Sequence, residues 1–300
     1  MVYVIIVNWC NFEDTIECLR SLALMDYPDF RVIVCDNNST DSSCNKISNW
    51  IISNNLSNFS ICEMGANLGF AGANNAGINI ALLDEKTKYI WILNNDTEVK
   101  TNSLTELVNT YESDPQNGIA GSVLLYTHSK TTIQAIGGHY NSWLGISKHI
   151  FGRRSFDQYE IDNFDFSSMD YVVGASMLIS REFVNKVGLM DPNYFLYGED
   201  LDWSVRAKRM NLKLTCASKS IVYHKEGGTT KTSVKIPRRE RNSLADKFSL
   251  RSNLILSMKL YPIKHVVVRL VYFAKALRRL AIGDIRGACR TLFAMLFVWR

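Results

Sequence analysis

The sequence lacks the features that send a chain into or across a membrane. It opens on Val2–Val7, a short β-branched run with no basic segment before it and no small-residue cleavage site after it, which argues against a secretory signal peptide. No window supplies the roughly 20 apolar residues that span a bilayer. The nearest, residues 265–282, is interrupted by four Lys and Arg residues. We therefore expect a protein that is made and kept in the cytoplasm.

Paired cysteines and late acidic residues are also scarce. None of the seven cysteines stands in a CxxC pair, so neither a disulfide framework nor a zinc knuckle is expected. Beyond Asp202 the sequence has many Lys and Arg residues, and its acidic residues are only Glu226, Glu240, Asp246 and Asp284.

This excess of positive charge suggests a polyanionic partner: nucleic acid, an acidic membrane surface or phosphorylated substrates.

Strand-like and helix-like segments alternate through the first hundred residues. This alternation predicts a doubly wound α/β sheet that is mostly parallel. Ligands bind to such sheets at the carboxyl ends of the strands. Three polar turns fall at those ends, at Asn8-Trp9, Asp36-Asn37-Asn38 and Asn94-Asn95-Asp96. The predicted strands are Val2–Val7, Arg31–Cys35, Phe59–Glu63 and Tyr89–Leu93.

The rest of the chain is less periodic. Residues 137–154 are rich in Gly and aromatics and are read as loops or hairpins that shape an acceptor cleft. Residues 226–236 are read as a mobile segment that closes as a lid, beside Arg238, Arg239, Arg241 and Arg251. Residues 238–300 are helical, basic and amphipathic. Further strands are predicted at Ile119–Tyr126, Tyr171–Ser180, Asn211–Thr215 and Ser220–Tyr223.

Three polar segments of the first half are candidates for ligand binding. In Asn94-Asn95-Asp96, a carboxylate beside carboxamides after a buried strand suits Mg²⁺ or Mn²⁺, although the triplet also suits a polar turn. Asp36 can accept a hydrogen bond from a base or a ribose, or form an Asx turn. The glycines of Asn67–Gly77 permit close approach to a ligand, or simply pack loop on helix, and they match neither a Walker loop nor GxGxxG.

Two later features could carry chemistry. Three carboxylates crowd into Glu199-Asp200-Leu201-Asp202 beside Trp203, and crowding raises carboxyl pKa values toward those of a general base. The same acids also suit a helix N-terminus. His224 ends an apolar strand, where it is either a structural residue or a ligand of a divalent cation.

Taken together, these segments resemble glycosyltransferase family 2, in particular its rhamnosyltransferase-like branch. The resemblance covers about residues 1 to 230, and the order of the motifs is more specific than any one of them. The segments that carry it are Val4–Trp9, Val34–Asp41, Asn67–Asn75, Leu93–Thr97, Val173–Ala175 and Gly188–Asp202.

The resemblance implies a GT-A fold and assigns roles to residues. Asp36 would contact the nucleotide base, Asp96 would be the final acid of a metal-binding DxD motif, and Asp200 would be the catalytic base. His224 would join the metal, which is Mn²⁺ or Mg²⁺. The first position of that motif is Asn94 here instead of an acid, so the metal site has one negative charge fewer. Donor contacts are predicted at Asn8, Asp36, Asn67, Asn74 and Asn95, and acceptor or sugar contacts at Tyr197, Glu199, Asp202 and Trp203.

The predicted function is inverting transfer of a sugar from a UDP- or dTDP-sugar to a glycan or a lipid-diphosphate-linked saccharide, in cell-surface polysaccharide synthesis. Residues 1–235 would form the catalytic domain, with a donor half (1–100) and an acceptor half (101–235), and 236–300 a helical extension. A sugar nucleotidylyltransferase and a non-catalytic polyanion-binding protein are the alternatives, although no nucleic-acid partner is expected.

Two hypotheses remain for the role of the helical extension. It could lie on the inner face of the cell membrane as an interfacial helix pair, or it could pack on protein, including a second copy of the chain. A helical wheel places six cations on one side, opposite apolar residues that end in 292–297: Lys264, Lys275, Arg278, Arg279, Arg286 and Arg290.

Overall fold

The structure is a computed structural model that describes residues 1–225 and 243–296. It is built on one nine-stranded sheet. The first strands alternate with helices as the sequence predicts: β1 (Val2–Asn8), α1 (Phe12–Leu22), β2 (Phe30–Asp36), α2 (Ser43–Ser53), β3 (Phe59–Glu63), α3 (Gly69–Leu82) and β4 (Tyr89–Asn94). The chain continues through β5 (Thr97–Val99), α4 (Ser103–Glu112), β6 (Asn117–Tyr126), β7 (Ser129–Ala135) and a separate hairpin of β8 (Gly138–Asn141) and β9 (Ile146–His149). Then come α5 (Gln158–Asp162), a short 3-10 turn, β10 (Ser176–Ser180), α6 (Arg181–Val187), α7 (Glu199–Arg209), β11 (Lys213–His224), α8 (Ser243–Leu260), α9 (Pro262–Ala281) and α10 (Ile285–Leu296).

The strands of the first half are parallel and end level with one another. The sheet order is β3-β2-β1-β4-β10-β6-β11-β5, with β7 beside β6. In the register, Asn8 lies opposite Asp36, and Val7 lies opposite Asn94. Polar residues at three strand ends are therefore gathered at one edge, as expected for a sheet of this type.

The second half of the sheet is mixed. β10 is antiparallel to both β4 and β6, whereas β11 is parallel to β6 and carries the short β5 on its other edge. The strand predicted at Tyr171–Ser180 begins only at Ser176. The two closing strands predicted near the end of the sheet are one strand, β11, with an irregularity between Ala217 and Ile221. The predicted α/β class is confirmed.

Side chains of β4 alternate between two buried layers, because successive residues of a strand point to opposite faces. Ile90 and Ile92 pack with residues of α3 and α7, while Trp91 and Leu93 pack with residues of α1 and α4. A strand that is apolar on both faces is typical of a sheet covered by helices on both sides. The sheet is therefore a rigid base for the polar residues at its edge.

The C-terminal helices form a third buried cluster with α7. Leu201 and Val205 pack against Leu254 of α8 and Val268 of α9. The helices are separated near Gly283 and at Pro262, where the ring removes a backbone donor. No helix in the described part of the chain is long and apolar enough to cross a bilayer.

The predicted six-cation face of the extension is wrong in part. Arg279 bonds Asp246 at 2.7 Å and Arg290 bonds the same carboxyl at 3.1 Å, so both turn inward between helices. An amphipathic wheel treats each helix alone and misses a buried acid on its neighbour. The predicted lid at 226–236, with Arg238, Arg239 and Arg241, lies outside the described residues.

Candidate active site

A cavity of about 320 Å³ opens between the edge of the sheet and the start of α7. Asn94, Gln134 and His224 line it, and together with Asp96, which contacts His224, we call them the strand-end wall. Glu199 and Asp200 also line it, and we call them the helix wall. Sequence motifs that lie far apart along the chain therefore meet in one cavity.

The strand-end wall exists because β5 pairs with β11. His224 lies opposite Thr97 in that pairing, which brings its ring against the residue just before, Asp96. Nε2 of His224 is 3.1 Å from Oδ1 of Asp96 and 3.3 Å from Nδ2 of Asn94. Asp96 and His224 are 5 % and 8 % exposed, so the pair is shielded from bulk water.

Gln134 fixes how the imidazole presents itself. Its Oε1 is 2.8 Å from Nδ1 of His224. When that nitrogen carries the proton and donates a hydrogen bond to Gln134, the lone pair of a neutral ring lies on Nε2, facing Asp96. A carboxylate and a lone pair so close repel each other unless a proton or a cation lies between them.

These residues fit a divalent cation as a partial ligand set. Asp96 offers a carboxylate, His224 an imidazole, and Oδ1 of Asn94 is buried with no hydrogen-bond partner among the described residues. Within those residues no three His, Cys, Asp or Glu side chains are grouped as a complete metal site. Mg²⁺ and Mn²⁺ are commonly held in this way, by one or two protein ligands plus substrate phosphates.

The helix wall is built by an abrupt start of α7. Tyr197 and Gly198 both have positive φ, 71° and 88°, and the helix begins at the next residue. Asp200 then accepts hydrogen bonds from the backbone N–H of Gly174 at 3.0 Å and of Leu201 at 2.8 Å. Two amides therefore hold the carboxylate in one orientation.

Burial raises the pKa values of both carboxyls of the helix wall. For Asp200 the two backbone amides and nearby His149 oppose this rise. For Glu199 the negative charge of Asp200 adds to it, and the pKa is raised well above its ordinary value. Oε2 of Glu199 is buried without a partner in the described chain. The two amide hydrogen bonds favour the ionised form of Asp200, which is the form that can accept a proton.

The predicted donor residues form a hydrogen-bonded chain along the sheet edge. Nδ2 of Asn8 donates to Asp36 at 2.7 Å, and its Oδ1 accepts from Thr15 at 2.7 Å. Nδ2 of Asn95 donates to the same Thr15 at 3.0 Å. Asp36 also accepts from the hydroxyl of Ser39 at 2.7 Å. Asp36 is thus held in place by neighbours on β1 and in its own turn.

The Asn67–Gly77 segment is tied to this edge by Asn37. The Asn37 amide donates to Oδ1 of Asn67 at 2.9 Å and accepts from the backbone N–H of Leu68 at 2.7 Å. Asn74 donates to the carbonyl of Phe70, while its buried Oδ1 has no partner among the described residues. None of the five predicted donor residues is among those that line the cavity of about 320 Å³.

Two of the predicted acceptor residues do not face the cavity. Trp203 is fully buried and donates its ring N–H to the carbonyl of Gly188, so it presents no ring face to a sugar. Asp202 is also fully buried and pairs with Arg206 at 2.7 Å and Lys259 at 2.9 Å. Both predictions are corrected, because the turn of α7 that aims Asp200 outward aims these two inward. Tyr197 and Glu199 do line the cavity.

Sequence reasoning missed several residues of the cavity. Gln134 and His149 come from β7 and β9, and the only signal for the second was the Gly- and aromatic-rich character of its region. Helix α8 adds Ser249, Ser252 and Asn253. Ser252 also donates to the carbonyl of Leu196 at 3.0 Å, so the helical extension supports the loop before the helix wall.

Several solved structures of glycosyltransferases have a similar fold. A mannosyltransferase of Pyrobaculum calidifontis in complex with GDP-Man and Mn²⁺ superposes with a TM-score of 0.60 at 14 % identity, over 98 % of this chain and 74 % of that one. GalNAc-T7 with UDP, GalNAc and Mn²⁺ superposes with a TM-score of 0.59 at 17 % identity, over 75 % of this chain and 43 % of that one. S. aureus TarS in complex with UDP-GlcNAc superposes with a TM-score of 0.51 at 15 % identity, over 91 % of this chain and 72 % of that one. The protein has the GT-A fold.

Sequence comparison then gives the family. Residues 3–188 match the sequence model of the family described as Glycosyl transferase family 2, which is more than half of the chain. The protein belongs to this family. It is also 24 % identical over 215 residues to a low-salt glycan biosynthesis hexosyltransferase of Haloferax volcanii, which covers 70 % of this chain. The chain spans 62 % of the length of that relative.

Proposed function

We propose that this protein is an inverting glycosyltransferase that moves a sugar from a nucleotide-diphosphate sugar to a saccharide acceptor. The observation that carries the proposal is the single cavity between the strand-end wall and the helix wall. A diphosphate bound at the Asp96–His224 pair would share one cavity with a proton-accepting carboxylate, Asp200. The proposal takes residues 1–235 as the catalytic domain and 236–300 as an extension that adds α8 to the cavity.

Asp200 acts as the general base. An acceptor hydroxyl beside it loses its proton to the carboxylate while the hydroxyl oxygen attacks the anomeric carbon. The bond from that carbon to the diphosphate oxygen breaks on the opposite face, which inverts the configuration. The backbone N–H groups of Gly174 and Leu201 keep the carboxylate aimed during this step.

Asp96 and His224 would hold a divalent cation, Mn²⁺ or Mg²⁺, together with the diphosphate of the donor. A bound cation would supply positive charge where the leaving group becomes more negative. Asn94, standing where the family motif has an acid, leaves this site with less negative charge. The donor diphosphate therefore contributes a large share of the affinity for the cation.

The edge of β1, β2 and α3 would bind the nucleotide. Asp36 is held by Asn8 and Ser39 at the end of β2, where a carboxylate can meet the base. UDP- and dTDP-sugars are the proposed donors, and a GDP-sugar is included in the test because a structural neighbour binds GDP-Man.

Acceptor contacts would come from the helix wall and its surroundings. Glu199 stays protonated to higher pH than a free glutamate, so it can donate a hydrogen bond to a sugar oxygen. Tyr197 offers a ring at the cavity. We propose a glycan or lipid-diphosphate-linked saccharide as the acceptor, with the reaction taking place on the cytoplasmic side of the membrane during cell-surface polysaccharide synthesis.

A two-stage experiment tests this function. Thermal shift with UDP-, dTDP- and GDP-sugars, with and without Mn²⁺, should identify one nucleotide that stabilises the protein only when the metal is present. Nuclear magnetic resonance of the transfer product should then give the anomeric configuration opposite to that of the donor. Retained configuration would refute the single displacement. Pyrophosphate release from a sugar phosphate and a nucleoside triphosphate would point to a nucleotidylyltransferase instead.

A further inference from the structure

Helix α9 is apolar on two faces, and only one of them is covered. Val268, Tyr272 and Ala276 are buried against the rest of the protein. On another side of the helix six large apolar residues are 44–86 % exposed. We call them the outer stripe: Ile263, Val266, Leu270, Phe273, Leu277 and Leu280.

The outer stripe is continuous along the whole helix. Its members follow one another at alternating steps of three and four residues, the spacing that keeps side chains on one face of an α-helix. Single exposed apolar residues are ordinary on a protein surface, but a contiguous exposed row marks a binding surface. The buried face already satisfies the packing of the helix, so the outer stripe is not needed for the fold.

The charges beside the outer stripe indicate its partner. Arg269 and Arg278 are exposed and, at 100° per residue, fall on opposite flanks of the stripe. Residues 262–281 contain five Lys and Arg residues and no acidic residue. An apolar row between cationic flanks is the arrangement of helices that lie in the interface of an anionic bilayer.

We propose that α9 docks this protein on an anionic lipid surface, with the outer stripe in the acyl boundary and Arg269 and Arg278 at the lipid phosphates. A second copy of the chain is a poorer occupant. Two α9 helices related by a two-fold axis would bring identical cationic flanks together with no carboxylate on either helix to pair with them. Only Tyr261 separates α8, which lines the cavity, from α9, so docking would also anchor the cavity near the membrane.

Vesicle sedimentation of the full chain tests the proposal. Native protein should sediment with vesicles of phosphatidylcholine and phosphatidylglycerol, and much less with phosphatidylcholine alone. The double variant Leu270→Gln and Leu277→Gln should partition at least tenfold less. Arg269→Gln with Arg278→Gln should lower binding to the anionic vesicles only, and added salt should do the same.

Leu83→Gln is the matched control, because Leu83 is 83 % exposed but lies after α3, away from α9. It should bind vesicles like the native chain. Native protein that stays in solution with anionic vesicles would overturn the proposal, whatever the variants do. A native dimer in sedimentation velocity that the double variant abolishes, without vesicle binding, would assign the stripe to a second copy. Donor binding, measured by calorimetry, should be equal in all these proteins, so membrane docking and transfer can fail separately.

Discussion

The strand-end wall and the helix wall of the cavity are built in different ways. Asn94 and His224 are 130 positions apart along the chain, and they meet because strand pairing fixes where β11 ends. Glu199 and Asp200 are neighbours in sequence, and a positive-φ turn at Gly198 aims them. The first wall depends on sheet register, the second on one turn of backbone. We therefore expect substitutions in the first to change ligand affinity, and those in the second to change proton transfer.

The largest expected effect is at Asp200. In Asp200→Asn the amide can still accept a hydrogen bond from Gly174 but cannot take a proton, so kcat should fall by about 1,000-fold. Donor affinity in calorimetry should stay within about twofold of the native value, because the donor binds at the other wall. A kcat near that of the native protein would remove Asp200 from the mechanism.

Asp202→Asn is the matched control on the same helix. Asp202 is fully buried and pairs with Arg206 and Lys259, so the substitution removes the charged partner of Arg206 and leaves Lys259 with Asp191 alone. The free energy of unfolding should drop by about 3 kcal/mol, while kcat of the protein that remains folded should change little. Urea unfolding and a transfer assay below the melting range separate the two. Loss of kcat without loss of stability would return Asp202 to the site.

The next effect is expected at the strand-end wall. Asp96→Ala removes the carboxylate that faces His224, so donor affinity in the presence of Mn²⁺ should fall by about 100-fold. Affinity without metal should be nearly unchanged. Calorimetry under both conditions gives the comparison. An equal loss with and without Mn²⁺ would mean that Asp96 contacts the donor directly rather than through a cation.

A smaller effect is expected from the residue behind the imidazole. Gln134→Ala removes the acceptor that orients Nδ1 of His224, and the Mn²⁺ concentration for half-maximal donor binding should rise by about tenfold. Gln116→Ala, at an exposed position after α4, is the control and should leave it unchanged. If the two variants behave alike, Gln134 does not position the ring.

The smallest effect concerns pH. Burial and the charge of Asp200 raise the pKa of Glu199 above its ordinary value of 4.5, so above that pH the folded protein holds a proton that the unfolded chain has lost. Stability from this group therefore falls as pH rises from the unfolded pKa through the folded one. The side chain of Glu199→Gln cannot take up this proton. The free energy of unfolding of the variant, measured in urea between about pH 5 and about pH 8, should therefore change less with pH than that of the native protein.

The sequence predicted the polar edge of the sheet better than the lining of the cavity. Buried parallel strands gather their carboxyl ends by geometry, so Asn8, Asp36 and Asp96 fall at one edge once the strands are known. His224 was placed by resemblance. Gln134 could not be predicted, because nothing local ties β7 to the end of β11.

The helix wall was predicted in part. Helical spacing separates Asp200 from Asp202 by about 200° of rotation, yet sequence alone does not say which of them faces solvent. The core decided it, since Trp203 fills a buried site against Phe183. The share of α8 in the cavity depends on contacts across some fifty residues, such as that between Ser252 and Leu196, and no local pattern encodes it.

The place of β10 in the sheet has a consequence for how the chain reaches its native state. β4 pairs with β1 on one edge and with β10 on the other, but β10 is not synthesised until residue 180. Until then the nascent chain carries Tyr-Ile-Trp-Ile-Leu with an open edge, and apolar open edges pair with other chains. A lower rate of initiation, as under weak induction, should therefore raise the yield of soluble protein, since fewer unfinished chains coexist while that edge is open.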